Sequence, residues 1–171
     1  QSYEDWRDEE PGKILHELRI GEKANLNVIP QTPYYGTVDA TPLFLILLAE
    51  YVDWTGNLKL LDKIRPNIDA AIAWIDRYSR RNGSEFTSYM SRSPKGLSNH
   101  GWKDSWDAVM HSDGTLAKPP VALAEVQGYV YMAKERMSTL FDWIGRSGDA
   151  IRLKKEAGKL KKAFNERFWM E

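Results

Sequence analysis

Hydrophobic and polar positions change pattern along this chain, and each change marks an element. From Leu43 to Trp54 nearly every position is apolar; Thr41-Pro42 precedes the run and Gly56 follows it. A hydroxyl N-cap, a Pro at the first helical position and a Gly stop predict a helix here. Being apolar on nearly every side, it is expected to be buried all round. The stretch 58–81 differs. Pro66 divides or kinks it, and after it Ile68, Ala71, Ile72, Ile75 and Tyr78 recur at helical spacing, with Asp69, Asp76, Arg77 and Arg80 on the other side. That is an amphipathic helix. The pair then repeats. Pro119-Pro120 opens a helix from 121 to about 144, apolar on most sides in its first half and stopped by Gly145 and Gly148. From Asp149 to about Trp169, Leu153, Ala157, Leu160, Phe164 and Phe168 form a stripe opposite lysines.

The remaining segments are not helical. Residues 1–40 form an irregular lead-in: charged positions up to Pro11-Gly12, then Ile14, Leu15, Leu18 and Ile20 as a short strand or packed segment, then Pro30 and Pro33. Residues 82–120 form a long connection in which 85–90 can be a short strand, and a short β-hairpin can be inserted in the fold. Ser93-Pro94-Lys95-Gly96 and Ser112-Asp113-Gly114 read as turns. Loops this long are uncommon in compact domains unless they carry function.

The order is buried helix, amphipathic helix, long loop, buried helix, amphipathic helix, with short connections inside each pair. Short connections make antiparallel neighbours. The expected fold is all-α, of the α/α-toroid type, as a single segment 1–171: lead-in 1–40, hairpin 41–81, active-site loop 82–120, hairpin 121–171. Two hairpins do not close a ring, so the chain reads as part of a barrel. Its uncovered inner helices would favour self-association. Both unusual loops run into the starts of buried helices. They are expected to meet on one face, where unpaired N–H groups and positive dipole ends lie.

Composition narrows the function. Lys plus Arg and Asp plus Glu are 24 each, so no charge excess draws a nucleic acid or anionic membrane. No apolar run is long enough to span a bilayer. There is no Cys, hence no disulfide framework or zinc–thiolate site, and a cytoplasmic setting is expected. Seven Trp are many for 171 residues. Two of them fall in residues 99–107 (NHGWKDSWD) with two Asp. An indole face suits a sugar ring, and a carboxyl can give or take a proton. Asp104 and Asp107 are too close in sequence to straddle a glycosidic bond, so one is the acid and the other a sugar ligand or a cap. Asp39 is a helix cap or a sugar-hydroxyl acceptor. Glu125 and Gln127 lie in an apolar helix and need partners, so they support the loop or face the cleft. His100 and His111 lack a metal-ligand spacing, and no metal is expected.

Four blocks, residues 5–17 (DWRDEEPGKILHE), 34–44 (YYGTVDATPLF), 101–107 (GWKDSWD) and 119–129 (PPVALAEVQGY), resemble bacterial glycogen-debranching-type enzymes, the amylo-α-1,6-glucosidase family. The resemblance implies a glucoamylase-like six-hairpin α/α barrel that hydrolyses α-glucosidic bonds with inversion and without a cofactor. It implies a general acid in a Trp-x-Asp-like loop entering an inner helix. Trp102-Lys103-Asp104 fits that pattern, making Asp104 the acid and Asp107 its alternative or support. The general base of such barrels comes from a late inner helix, and no matching element occurs before Glu171. Arg7, Asp8, Asp39 and Lys103 are candidates to hold glucose hydroxyls; Tyr35, Trp102 and Trp106 to stack on the ring; Glu125 and Gln127 to complete the substrate side. The substrate would be an α-glucan or a small α-glucoside. The alternative is a non-catalytic carbohydrate-binding or scaffold use of the same fold.

Overall fold

The computed structural model describes residues 3–103 and 105–170, Asn82 through its backbone alone. The helices are α1 (Glu22–Asn25), α2 (Ala40–Thr55), α3 (Lys59–Lys63), α4 (Arg65–Ala73), α5 (Ala124–Trp143) and α6 (Ser147–Arg167). A π-helical turn, Trp74–Tyr78, continues α4, and 3-10 turns span Asp5–Arg7 and Arg81–Gly83. The described residues are helical and irregular, with isolated bridges and no sheet. None of their helices is long and apolar enough to cross a membrane.

Helix directions follow from the side-chain pairs. Along α5 and α6, Lys134 meets Glu156 at 2.5 Å and Ser138 donates to the Ala150 carbonyl at 2.8 Å, so these helices are antiparallel. Arg146 reaches Asp69 and Arg152 reaches Asp76, in the same order on both elements, so α4 and α6 run parallel. At one end of α2 and α5 the Val38 N–H donates to the His100 carbonyl at 2.9 Å. Gly101 there lies so close to Leu123 that an added Cβ would stand 2.4 Å from its Cδ1. Nearer the other end, Arg136 of α5 pairs with Glu50 and Asp53 of α2. Helices α2 and α5 are therefore parallel, each followed by a helix running back. The core between them holds Leu45, Leu48, Ala49 and Val52 of α2, Ile68, Ile72 and Trp74, and Val130, Met137, Leu140 and Phe141 of α5, with Leu153 of α6. Each large apolar side chain buried there contributes about 1.5–3 kcal/mol.

The chain departs from its sequence reading at four places. Helix α2 is not buried all round: Leu43, Leu47, Tyr51 and Trp54 form an exposed stripe, Leu47 at 69% and Trp54 at 87%. Its neighbours α4 and α5 cover the opposite side. Thr41 is not the cap. Helix α2 starts at Ala40, whose N–H donates to the Thr37 hydroxyl, while the Thr41 hydroxyl accepts the Ile14 N–H at 3.0 Å and ties down the lead-in. Helix α5 starts at Ala124, not 121, because the Val121 N–H and carbonyl both pair with Tyr89 and hold that residue extended. Residues 85–90 form no strand, only the Tyr89 bridge to Val121, and the inserted hairpin sits at 109–117. The turn at 112–114 closes it: Asp113 accepts the Thr115 N–H at 2.9 Å and Gly114 takes φ 82°.

Candidate functional site

The site rests on a buried polar knot made by the lead-in. Glu10, fully buried, accepts the Trp74 indole N–H at 2.7 Å, an Arg92 N–H at 2.7 Å, and an N–H of Arg81. Burial works against its charge, but Lys13, Arg81 and Arg92 together outweigh it and hold the carboxyl below its ordinary value. Asp8, equally buried, takes the backbone N–H groups of Arg92 and Ser93 on one oxygen and the Tyr34 hydroxyl at 3.0 Å on the other. The Tyr34 oxygen in turn accepts the Leu97 N–H at 2.7 Å. Burial first, then Asp8, pushes the Tyr34 phenol above its usual range. Lys13 donates to the Asp8 carbonyl, and burial pulls its ammonium down to about 8 against the opposing pull of Glu10 and Asp8.

His100 links this knot to the loop. Its Nε2 lies 3.1 Å from the Leu97 carbonyl, which makes Nε2 the protonated nitrogen, while Nδ1 is buried without a hydrogen-bond partner among the described residues. Burial, then the Lys13 charge, pushes its pKa down to about 3. Free imidazole titrates near ~6.5. Between these values the unfolded chain binds more protons than the folded one. Stability from this group is therefore complete above pH ~6.5 and is lost as the pH falls toward 3. The His100 ring protons are expected to show no titration between pH ~5 and ~8 in an NMR series. A titration there would mean a charged imidazole in the folded knot.

Above the knot, residues 99–103 fold over the starts of α2 and α5. The Asn99 carbonyl oxygen accepts the Tyr89 hydroxyl at 2.9 Å and the Gly101 N–H at 3.2 Å, and its amide bonds the Lys103 carbonyl. Gln127, buried on α5, accepts the Thr87 N–H at 3.0 Å and donates to the Thr87 and Leu123 carbonyls at 2.8 and 2.9 Å. It fastens the incoming loop to the helix. These contacts leave a cavity of about 320 Å³ lined by Asn99, Trp102, Lys103, Val109, Leu123 and Glu125, among others. Trp102 is 65% exposed, with the Lys103 ammonium 5.4 Å from its ring centre.

Trp102, Lys103 and Glu125 thus come together around one cavity. Asp104, the expected acid, lies outside the described residues. Asp107 is half-buried and Trp106 is 70% exposed, and neither lines the cavity. Asp8 does not face it either, because its oxygens are occupied by the 92–93 backbone and Tyr34. Arg7 and Tyr35 lie together, the Tyr35 N–H on the Arg7 carbonyl at 2.9 Å, with the Arg7 guanidinium near Glu4. Asp39 accepts the Thr37 hydroxyl and follows Val38, whose N–H reaches the loop. Asn99 and Glu10 act as supports although neither is among the expected site residues. Asn99 stands in the Trp-rich stretch, so its place was detectable, whereas Glu10 read as one more solvated charge.

Among the described residues no His, Asp and Glu gather as a metal-binding group. Compared with known proteins, the chain matches no family model and no curated protein.

Proposed function

We propose that this chain is part of an α/α-toroid glycoside hydrolase that cleaves α-glucosidic bonds by inversion, of the amylo-α-1,6-glucosidase type. The observation that carries the reading is the cavity in which an exposed indole, an ammonium and a carboxyl meet at the start of α5. A pyranose needs a flat apolar face to stack on and charged groups for its hydroxyls. What supports the toroid is that α2 and α5 run parallel, that α4 and α6 each return antiparallel to them, and that the bare stripe of α2 offers a face on which a neighbouring hairpin of a ring would pack.

In this mechanism Trp102 stacks on the glucosyl ring, and Lys103 and Glu125 bind its hydroxyls. Asp104 donates its proton to the glycosidic oxygen as the bond to the anomeric carbon breaks. A carboxylate about 6.5–9.5 Å away, outside this segment, takes a proton from the attacking water. Asn99 and Gln127 hold the loop and do not touch substrate.

Glucose release from α-1,6-branched dextrin tests the reading. The intact protein is expected to release glucose, and Asp104→Asn to lower the rate about a hundredfold or more at unchanged thermal stability. Near-normal turnover with Asn at 104 removes this acid. Dextrin binding that needs Trp102, without turnover, favours the non-catalytic carbohydrate-binding alternative.

A further inference from the structure

The arginines of this chain are engaged almost entirely by carboxylates. Of the eleven in the sequence, only Arg77, Arg80 and Arg167 make no ion pair among the described residues. Two of those three border the same cavity, about 270 Å³, together with Arg81, Tyr3 and Tyr78 and with no carboxylate in its lining. The contrast is the neighbouring cavity between α4 and α6. There Arg77, Arg146 and Arg152 line the wall, but Asp69 and Asp76 line it with them and pair with Arg146 and Arg152.

The backbone concentrates this charge. The π-helical turn, closed by the Ser79 N–H on the Trp74 carbonyl, widens the helix where Arg77 and Tyr78 leave it. π-turns are frequent at functional sites. The chain then extends at Arg80 (φ −88°, ψ 91°) and carries Arg80 and Arg81 to the same cavity. Arg81 is anchored from behind by Glu10. Arg77 and Arg80 add to its lining two guanidiniums that make no ion pair among the described residues, and like charges placed this close raise the local potential for an anion.

We infer that this cavity binds the phosphate group of a small ligand. Guanidinium forks match phosphate oxygens in pairs. The volume is just below the usual ~300–1,000 Å³ of ligand cavities, which suits a phosphate alone or on a hexose. The site is separate from the cavity beside Trp102. Pro120 and Met90 border the arginine cavity, whereas Leu123 and Asn99 border the other, and the Tyr89–Val121 bridge lies between them. The inference therefore stands or falls apart from the glucosidase reading.

Calorimetric titration of the chain at low salt with inorganic phosphate and with glucose 6-phosphate tests it. Saturable binding is expected. Arg77→Gln with Arg80→Gln should weaken it at least about tenfold, while Arg167→Gln leaves it unchanged. The double variant should keep the wild-type unfolding midpoint, because neither side chain holds an ion pair. Tighter binding of the hexose phosphate identifies a phosphosugar as the ligand, and equal binding identifies free phosphate. No saturable binding of either up to about 10 mM, indifference to the double variant, or an equal loss in Arg167→Gln overturns the inference.

Discussion

Glu10→Ala is expected to destabilise the fold by about 3–5 kcal/mol. The side chain is fully buried, and three N–H donors converge on it from Trp74, Arg81 and Arg92. Alanine removes every acceptor at once. Two guanidiniums are then left largely out of water with one carboxylate fewer, since among the described residues only the exposed Asp5 still pairs with Arg92, at 2.7 Å. The indole N–H also loses its partner, and an unpaired buried donor costs about 1–3 kcal/mol. A chain of this size is stable by ~5–15 kcal/mol, so the loss is a large share. Urea unfolding measures it as a lower midpoint at unchanged slope. Glu10→Gln retains one acceptor oxygen for Trp74 and should fall between wild type and alanine. A loss below about 1 kcal/mol for alanine would mean that the knot does not hold the lead-in.

Gly12→Ala should cost about as much, ~3 kcal/mol or more, through space instead of charge. Gly12 sits at φ +86°, and an added Cβ would lie 2.1 Å from the Ala70 carbonyl oxygen and 2.7 Å from its carbon. Ala70 belongs to α4, whose backbone is fixed by its own hydrogen bonds and cannot yield. Residues 10–13 would have to lift away, taking Glu10 and Lys13 with them. Gly56→Ala is the control. Gly56 also has positive φ, +65°, yet nothing lies within 4 Å of its would-be Cβ. That substitution should cost only the left-handed backbone term, ~1–2 kcal/mol. Equal losses at the two sites, read by thermal unfolding, would show that the close approach to α4 carries no weight.

Both positions expose the boundary between what the residues announce and what the fold adds. Glu4 to Glu10 is a run of charges, and in isolation such a run is a solvated lead-in. Asp8 and Glu10 are buried because Arg81 and Arg92, more than seventy positions away in the chain, supply the partners that make burial affordable. No local pattern carries that information. The opposite holds for α6. Its apolar stripe Leu153, Ala157, Leu160 recurs at helical period and is buried against α5, since periodicity is a local property with a direct geometric meaning. Gln127 lies between these cases. A polar residue in an apolar helix signals a required partner, but only the docked loop identifies it as Thr87.

By itself the sequence determined that the chain is helical, that its helices come as two hairpins, and that a long Trp- and Asp-bearing loop separates them. These follow from hydrophobic period and from Gly and Pro positions, which act within a few residues. The tertiary structure alone decided that α2 presents a bare apolar stripe, that Val121 is extended, that Asp8 and Glu10 are internal supports, and that Trp102, Lys103 and Glu125 share one cavity. Each depends on which distant backbone or side chain arrives alongside, and burial and pairing are properties of neighbours in space.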